Sequence, residues 1–297
     1  MNIGIIGGGA WGKALATLVA GAGHQPRIGF RGTRPTGFPG TPNIDALARE
    51  SDLLIVAVPS DSVADAIRAA APDAASRLVF ASRGLEPHQG GWMSDFVLDH
   101  TPCRRVGALA GPALAAEVVA GRPTALVVAS EFEEVTRVTQ AALHSEHCRI
   151  YTSTDLRGVE LAGAIVGALS IAVGLADGVD YGIGAKGVII TRGIAEATRL
   201  GEALGADPKT FSGLAGVGDL VSCASSPEHP GFAAGLSLAR GGSIAGRIIE
   251  ETRALVAIGA DAGVDLPLTK AVLDVASGEA TPRLVFDELM RRDARRE

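Results

Sequence analysis

The chain has 297 residues, of which 47% are hydrophobic and 20% charged, and its formal net charge is -6. That balance supports a large buried core and excludes a disordered or collagen-like chain. The acidic excess argues against an extended nucleic-acid surface, although it leaves room for a local anion site. Cys103, Cys148 and Cys223 are too few and too scattered for a disulfide framework or a thiolate metal cluster. A reducing, cytoplasmic compartment and no metal are therefore expected. The N-terminus lacks a basic leader and runs straight into glycines, unlike an export signal. Only Lys13, Lys186, Lys209 and Lys270 are lysines among 27 basic residues, which limits the titratable ammonium groups available for chemistry.

In chain order, the apolar NIGII at residues 2–6 predicts a strand, the following glycines a turn, and the Ala/Leu-rich stretch after them a helix. A second strand is expected from His24 to Phe30. The connector from Arg31 to Pro42 is too rich in turn formers for regular structure. IDALARES predicts a helix, DLLIVAVP a buried parallel strand ending at Pro59, and SVADAIRAAAP a crossover helix. RLVFAS, the RGLEP loop, a helix near QGGWMSDFVLDH, VGALAGP and ALVVAS continue the alternation, and residues 131–150 keep it.

From about residue 156 the pattern becomes helical: GVELAGAIVGALSIAVGLADG, AKGVIITRGIAEATRLGEALG and SIAGRIIEETRALVAIGADAG. The predicted fold is α/β, an N-terminal Rossmann-like doubly wound sheet over 1–155 followed by an all-helical substrate and dimerisation domain over 156–297. The uncharged run from Leu161 to Ala176 is 16 residues long, short for a bilayer, and is read as a buried core helix with no membrane span. Gly163, Gly167 and Gly174 are expected to admit close helix contacts there.

Gly7, Gly9 and Gly12 form GxGxxG directly between strand and helix. That context suits a pyrophosphate, because the backbone approaches closely and the helix N-terminus presents free amides. The alternative is a purely structural turn. At the end of the second strand, where an acidic residue commonly holds the ribose hydroxyls, FRGTR offers Arg31 and Arg34. NADP(H) is therefore expected over NAD(H), with Arg31 as leading contact; the plainer reading is a solvated arginine.

The segments GGGAWGKALA, VPS, ASRGLEP, LAGPALAAEV, GVELAGA, GAKGVIITRGIAEATRLGEALGA and TFSGLAGVGDL resemble, in this order and over nearly the whole chain, the NAD(P)-dependent glycerol-3-phosphate dehydrogenase family. The resemblance implies interconversion of sn-glycerol 3-phosphate and dihydroxyacetone phosphate, a phosphorylated small-molecule substrate and a homodimer. It places Gly7, Gly9, Ala10, Trp11, Gly12, Pro59, Ser60, Arg83, Ala115, Ile248 and Glu250 against the cofactor, and Arg83, Gly111 and Asp219 against the substrate.

The resemblance also exposes departures. Val166 and Gly167 stand where the family has a lysine and an asparagine, and valine cannot supply or organise a proton. Arg83 replaces a lysine, keeping charge but changing geometry. Gly184 replaces an asparagine, His229, Pro230 and Gly231 replace Ser-Arg-Asn, and Ala113 lacks a hydroxyl. Asp219 and Lys186 are the leading catalytic candidates, with Asp219 handling a proton and Lys186 adding positive potential; a helix cap and a domain-interface ion pair are the structural alternatives. His229, Glu160 and Cys223 are further candidates. Two functional classes follow: a dehydrogenase, including a divergent reductase of another small ketone or imine, and a catalytically weakened dinucleotide-binding regulator.

Overall fold

The computed structural model describes residues 1–85, 91–244 and 246–291. Glu86 and Pro87 of RGLEP, and Gln89 and Gly90 of QGGWMSDFVLDH, lie outside the described residues.

The first part alternates strands and helices: β1 (Asn2–Ile6), α1 (Ala10–Gly21), β2 (Gln25–Gly29), β3 (Gly40–Thr41), α2 (Ile44–Arg49), β4 (Leu53–Val56), α3 (Val63–Ala70), β5 (Arg77–Phe80), α4 (Met93–His100), β6 (Arg105–Ala110), α5 (Ala115–Val119), β7 (Thr124–Ala129), α6 (Glu133–Leu143) and β8 (Cys148–Ser153). The strands form one sheet in the order β3-β2-β1-β4-β5-β6-β7-β8. All neighbours are parallel except β6 and β7. Buried on both faces, β4 reads as the unbroken run LLIV, all four residues buried. Gly40 and Thr41 make a short edge strand inside the connector expected to be irregular.

The second part is helical: α7 (Leu156–Gly178), α8 (Gly182–Ala203), α9 (Pro208–Ser212), a π turn (Leu214–Gly218), α10 (Asp219–Ala224), α11 (Pro230–Ala239), α12 (Arg247–Asp261), α13 (Pro267–Ala276) and α14 (Pro282–Arg291). Asp155 caps α7 by accepting from the Gly158 amide at 2.9 Å. In length and composition α7 suits a membrane crossing, yet 94% of its most apolar window is buried within the protein. The other helices supply that cover. A Cβ on Gly174 would collide with the Phe232 carbonyl of α11, and one on Gly235 would lie 2.6 Å from the Leu175 amide, so these two helices touch through backbone. Gly163 makes no such contact, an added Cβ meeting only Arg83 Cγ at 3.9 Å, whereas the Gly167 carbonyl lies 3.0 Å from where a Cβ on Gly231 of α11 would stand. Gly163 borders the cleft between sheet and helices instead.

One hydrophobic cluster spans both parts, joining Leu85, Ala108, Ala110 and Ala129 of the sheet side to α7 and its neighbours. The loop after β5 and the end of β6 therefore pack against the helices, and the loop after β4 reaches α12 through Ser60 and Glu251. In open α/β sheets the carboxyl edge, beside the strand where the order reverses, is where ligands bind.

Candidate active site

Three turns at the ends of β1, β4 and β5 build one side of the cleft. Gly7 sits at φ +124°, a conformation closed to most side chains, and a Cβ on it would strike the Ala57 carbonyl. A Cβ on Gly12 would strike the Gly7 carbonyl, so the turn folds tightly onto its own helix. At the start of α1, Gly9 is the N-cap; no side chain caps the helix and no acidic residue stands in its first turn. The space beside Gly9 is open. Amide donors, a favourable dipole and open space fit a pyrophosphate, with Ala10, Trp11 and Gly12 forming the first turn. Trp11 Nε1 donates to the Ala81 carbonyl at 2.9 Å and ties that turn to the end of β5.

The β4 and β5 loops are joined by Ser82, whose hydroxyl donates to the Val58 carbonyl at 2.6 Å. Ser60 is fully buried and donates to Glu251 Oε1 on α12. Arg247 Nη1 also donates to Glu251, at 3.1 Å. Glu251 packs against Gly84, which holds φ +108° and has no room for a side chain. Burial raises the Glu251 carboxyl above its usual range, while Ser60 and Arg247 pull it back. Of the expected α12 contacts, Ile248 is half-buried, and Glu250 is exposed and paired with Arg253 at 2.8 Å. The carboxylate that reaches the cofactor-side loops is thus Glu251, one residue further on. Its burial was the missing signal, since two adjacent glutamates at the start of a helix look alike in sequence.

Arg83 occupies the middle of the cleft, with 31% of its side chain exposed. Nη2 donates to Asp219 Oδ1 at 2.7 Å and to the Gly111 carbonyl at 3.3 Å. Nη1 lies 3.5 Å from Cys223 Sγ and 3.4 Å from His229 Nε2. Arg83, Gly111 and Asp219, the three expected substrate contacts, are therefore brought together. Asp219 opens α10 and is fully buried; its second oxygen, Oδ2, is buried with no partner among the described residues. Burial raises the Asp219 carboxyl to about 6, against the pull of Arg83 and Cys223. Burial first, then Arg83, lowers His229 to about 4, and burial with Asp219 pushes the Cys223 thiol up to about 12. Cys223 is thus no nucleophile at neutral pH.

The expected association of Asp219 with Lys186 is not made. Lys186 forms an ion pair with Asp177 near the far end of α7, with its ammonium 5.7 Å from the Phe232 ring centre. Asp219 takes Arg83 instead. Arg31 is exposed beyond β2 and 3.5 Å from Asp65, while Ala115 opens α5, half-buried against the same core as Trp11. Pro59 is exposed just before the buried Ser60. Glu160 accepts from the Ser94 amide at 2.9 Å and from its hydroxyl at 2.5 Å, joining α7 to α4 rather than handling substrate protons.

Sequence profiles for the NAD-dependent glycerol-3-phosphate dehydrogenase N-terminus and C-terminus match residues 31–136 and 155–287. The chain belongs to the NAD-dependent glycerol-3-phosphate dehydrogenase family. An NAD(P)+ glycerol-3-phosphate dehydrogenase of Salinibacter ruber is 36% identical over 330 aligned positions, covering 100% of this chain and 97% of the relative. One from Streptomyces coelicolor is 36% identical, with 99% and 97% covered. The crystal structure of glycerol-3-phosphate dehydrogenase from Coxiella burnetii superposes with a TM-score of 0.89 at 27% identity, covering 98% of this chain and 99% of that one. Within this glycerol-3-phosphate dehydrogenase fold, Val166 is fully buried in the α7 core and Gly167 leaves space unfilled, so neither offers the cleft a polar side chain.

Proposed function

We propose that this chain interconverts sn-glycerol 3-phosphate and dihydroxyacetone phosphate by hydride exchange with NAD(P)(H). Family membership supports the reaction, and the observation that carries it to this site is the meeting of Arg83, Gly111 and Asp219 at the strand ends beside the glycine turn. The division into a dinucleotide domain over 1–155 and a helical domain over 156–297 belongs to the same reading. A homodimer is taken from the resemblance. Three free, buried cysteines support a reducing, cytoplasmic setting, and the burial of α7 supports a chain with no membrane span.

The first turn of α1 holds the pyrophosphate, Pro59 and Ser60 flank the cofactor beyond β4, and Ala115, Ile248 and the exposed Glu250 border it, with Glu251 behind them holding Ser60. The nicotinamide, when bound, accepts or donates the hydride. Arg31 and the absence of an acidic residue in FRGTR support NADP(H) over NAD(H); its exposed pairing with Asp65 is weak enough to yield to a 2′-phosphate. Arg83 supplies the positive field for a phosphorylated substrate. With valine at 166 and Lys186 engaged by Asp177, proton handling falls to Asp219. Burial raises its carboxyl to about 6, and its Oδ2, without a partner among the described residues, can accept the hydroxyl proton of the alcohol.

Arg83 also favours a second reading. Its four terminal N–H groups each have a partner among the described residues, leaving phosphate to displace one of them. A non-phosphorylated small ketone needs no such displacement. The deciding experiment follows nicotinamide absorbance with NADPH and with NADH, offering dihydroxyacetone phosphate and dihydroxyacetone side by side. Faster turnover of the phosphorylated ketone with NADPH is expected. Equal or better turnover of dihydroxyacetone replaces the substrate assignment, and tight cofactor binding with no turnover replaces the enzyme by a dinucleotide-binding regulator.

A further inference from the structure

Two polar atoms around Arg83 are left without hydrogen bonds: Asp219 Oδ2 and His229 Nδ1, both buried and both without a partner among the described residues. Each belongs to a side chain held by the same guanidinium. Arg83 Nη2 takes Asp219 Oδ1 at 2.7 Å, and Arg83 Nη1 faces His229 Nε2 at 3.4 Å. A buried polar atom without a partner is costly, so a pair of them held by one guanidinium points to a ligand that completes both.

The chemistry of the pair is complementary. A guanidinium only donates, so the ring nitrogen facing it must be an acceptor, and a neutral imidazole with Nε2 as acceptor carries its proton on Nδ1. Burial and the Arg83 charge both disfavour the imidazolium, which keeps the ring neutral. The backbone holds the ring in place from both sides: His229 N donates to the Ser226 carbonyl at 3.0 Å, and its carbonyl accepts from Ala233 N at 2.9 Å at the start of α11. Pro230 follows at the first helical position, where its fixed φ stiffens the entry. Asp219 thus offers one free acceptor, the carboxylate oxygen Oδ2, and His229 one free donor, the Nδ1–H, on two side chains bridged by Arg83. A secondary alcohol or its ketone needs that combination at the reacting oxygen.

We propose that His229 is a catalytic residue of this chain, its Nδ1–H donating to the reacting oxygen of the substrate while Asp219 Oδ2 takes or returns the proton. The inference rests on the dehydrogenase reading above and deepens it by naming the group that stands in for the missing lysine. In the oxidative direction the C2–H bond breaks with its electron pair passing as hydride to the nicotinamide, the O–H proton moves to Asp219, and the oxygen's electrons close the C=O bond. Through that step His229 keeps its own proton and stabilises the negative charge developing on oxygen, as an oxyanion donor does. Arg83 fixes the tautomer that makes this donation possible, which gives it a role beyond attracting the substrate.

The test combines spectroscopy of the full-length protein without substrate with kinetics of variants. Nitrogen-15 resonances of the His229 ring at neutral pH are expected to show a protonated Nδ1 and an unprotonated Nε2; the opposite tautomer, or an imidazolium, overturns the proposal. His229→Ala is expected to lower kcat for glycerol 3-phosphate oxidation about 10²-fold. His229→Asn, whose amide N–H lies close to the original Nδ1, is expected to recover about tenfold of that loss. NADPH affinity and thermal midpoint should stay near parental values in both, which separates catalysis from folding. If the parent turns over and His229→Ala matches it within about threefold, His229 is not catalytic while the dehydrogenase reading stands. A parent that turns over neither ketone nor alcohol removes the dehydrogenase reading, and the catalytic role of His229 with it.

Discussion

Asp219 shows how a single buried oxygen sets a pH dependence. Its carboxyl is raised to about 6 because burial penalises the charge more than Arg83 and Cys223 favour it. A base must be ionised to accept the alcohol proton, so the kcat/KM of glycerol 3-phosphate oxidation is expected to climb as pH rises through about 6 and then level. Asp219→Asn removes the base while keeping an oxygen for Arg83. It is expected to lower kcat by about 10²-fold or more and to abolish that limb, read from a pH–rate profile of both proteins. An unchanged limb in Asp219→Asn would assign the titration elsewhere. The sequence pointed to both Asp219 and Arg83 at the substrate but set Asp219 beside Lys186 rather than Arg83. Arg83 and Asp219 are 136 residues apart and meet only because the end of β5 and the start of α10 converge on one cleft.

At the scale of elements, α7 and α11 are in contact through glycine. Gly235→Ala would push a methyl group 2.6 Å from the Leu175 amide and into the Ile171 carbonyl, and backbone cannot swing aside as a side chain would. A loss of about 1–3 kcal/mol is expected, measured by denaturant unfolding. Gly184→Ala, inside α8 with open space beside it, is the contrasting case and is expected to hold or gain stability by about 1 kcal/mol. Long helices and apolar strands were legible because their periodicity repeats over many residues. The two-residue β3 and five-residue α5 were not, since they are too short to carry a period and form because tertiary contacts hold them. Nor does composition distinguish the antiparallel step at β7 from the parallel strands around it: TALVVA is as apolar as its parallel neighbours. Gly163 was assigned to helix packing by the same small-residue pattern that marked Gly167 and Gly174; only the placement of α11 separates it from them.

For the whole molecule, the buried carboxyls lead to a stability profile that runs against the usual acid lability. Burial raises Glu160 and Glu196 from 4.5 to about 7, against opposing hydrogen bonds from Ser94 and from Leu268 and Thr269 respectively. Each therefore binds a proton in the folded state that the unfolded chain has already released in this range. Their contribution is fully present below about 4.5 and is lost as pH rises through about 7. The thermal midpoint is expected to fall by several degrees between those limits, followed by calorimetry. Glu196→Gln should flatten the slope, and a parent slope of the opposite sign would contradict the assignment. Because one apolar cluster runs from the sheet into the helices, this dependence should appear in one cooperative transition rather than two.

The hydrogen bond from Trp11 to Ala81 has an optical consequence. The chain holds only two tryptophans, and the other, Trp92, lies 5.4 Å beneath the Arg157 guanidinium, away from the glycine turn. Trp11 is fixed in orientation beside the glycine turn, and because indole emission overlaps the absorption of a reduced nicotinamide, a cofactor bound at that turn is expected to quench it. The protein thus carries a built-in energy-transfer donor by which cofactor binding can be followed without any label.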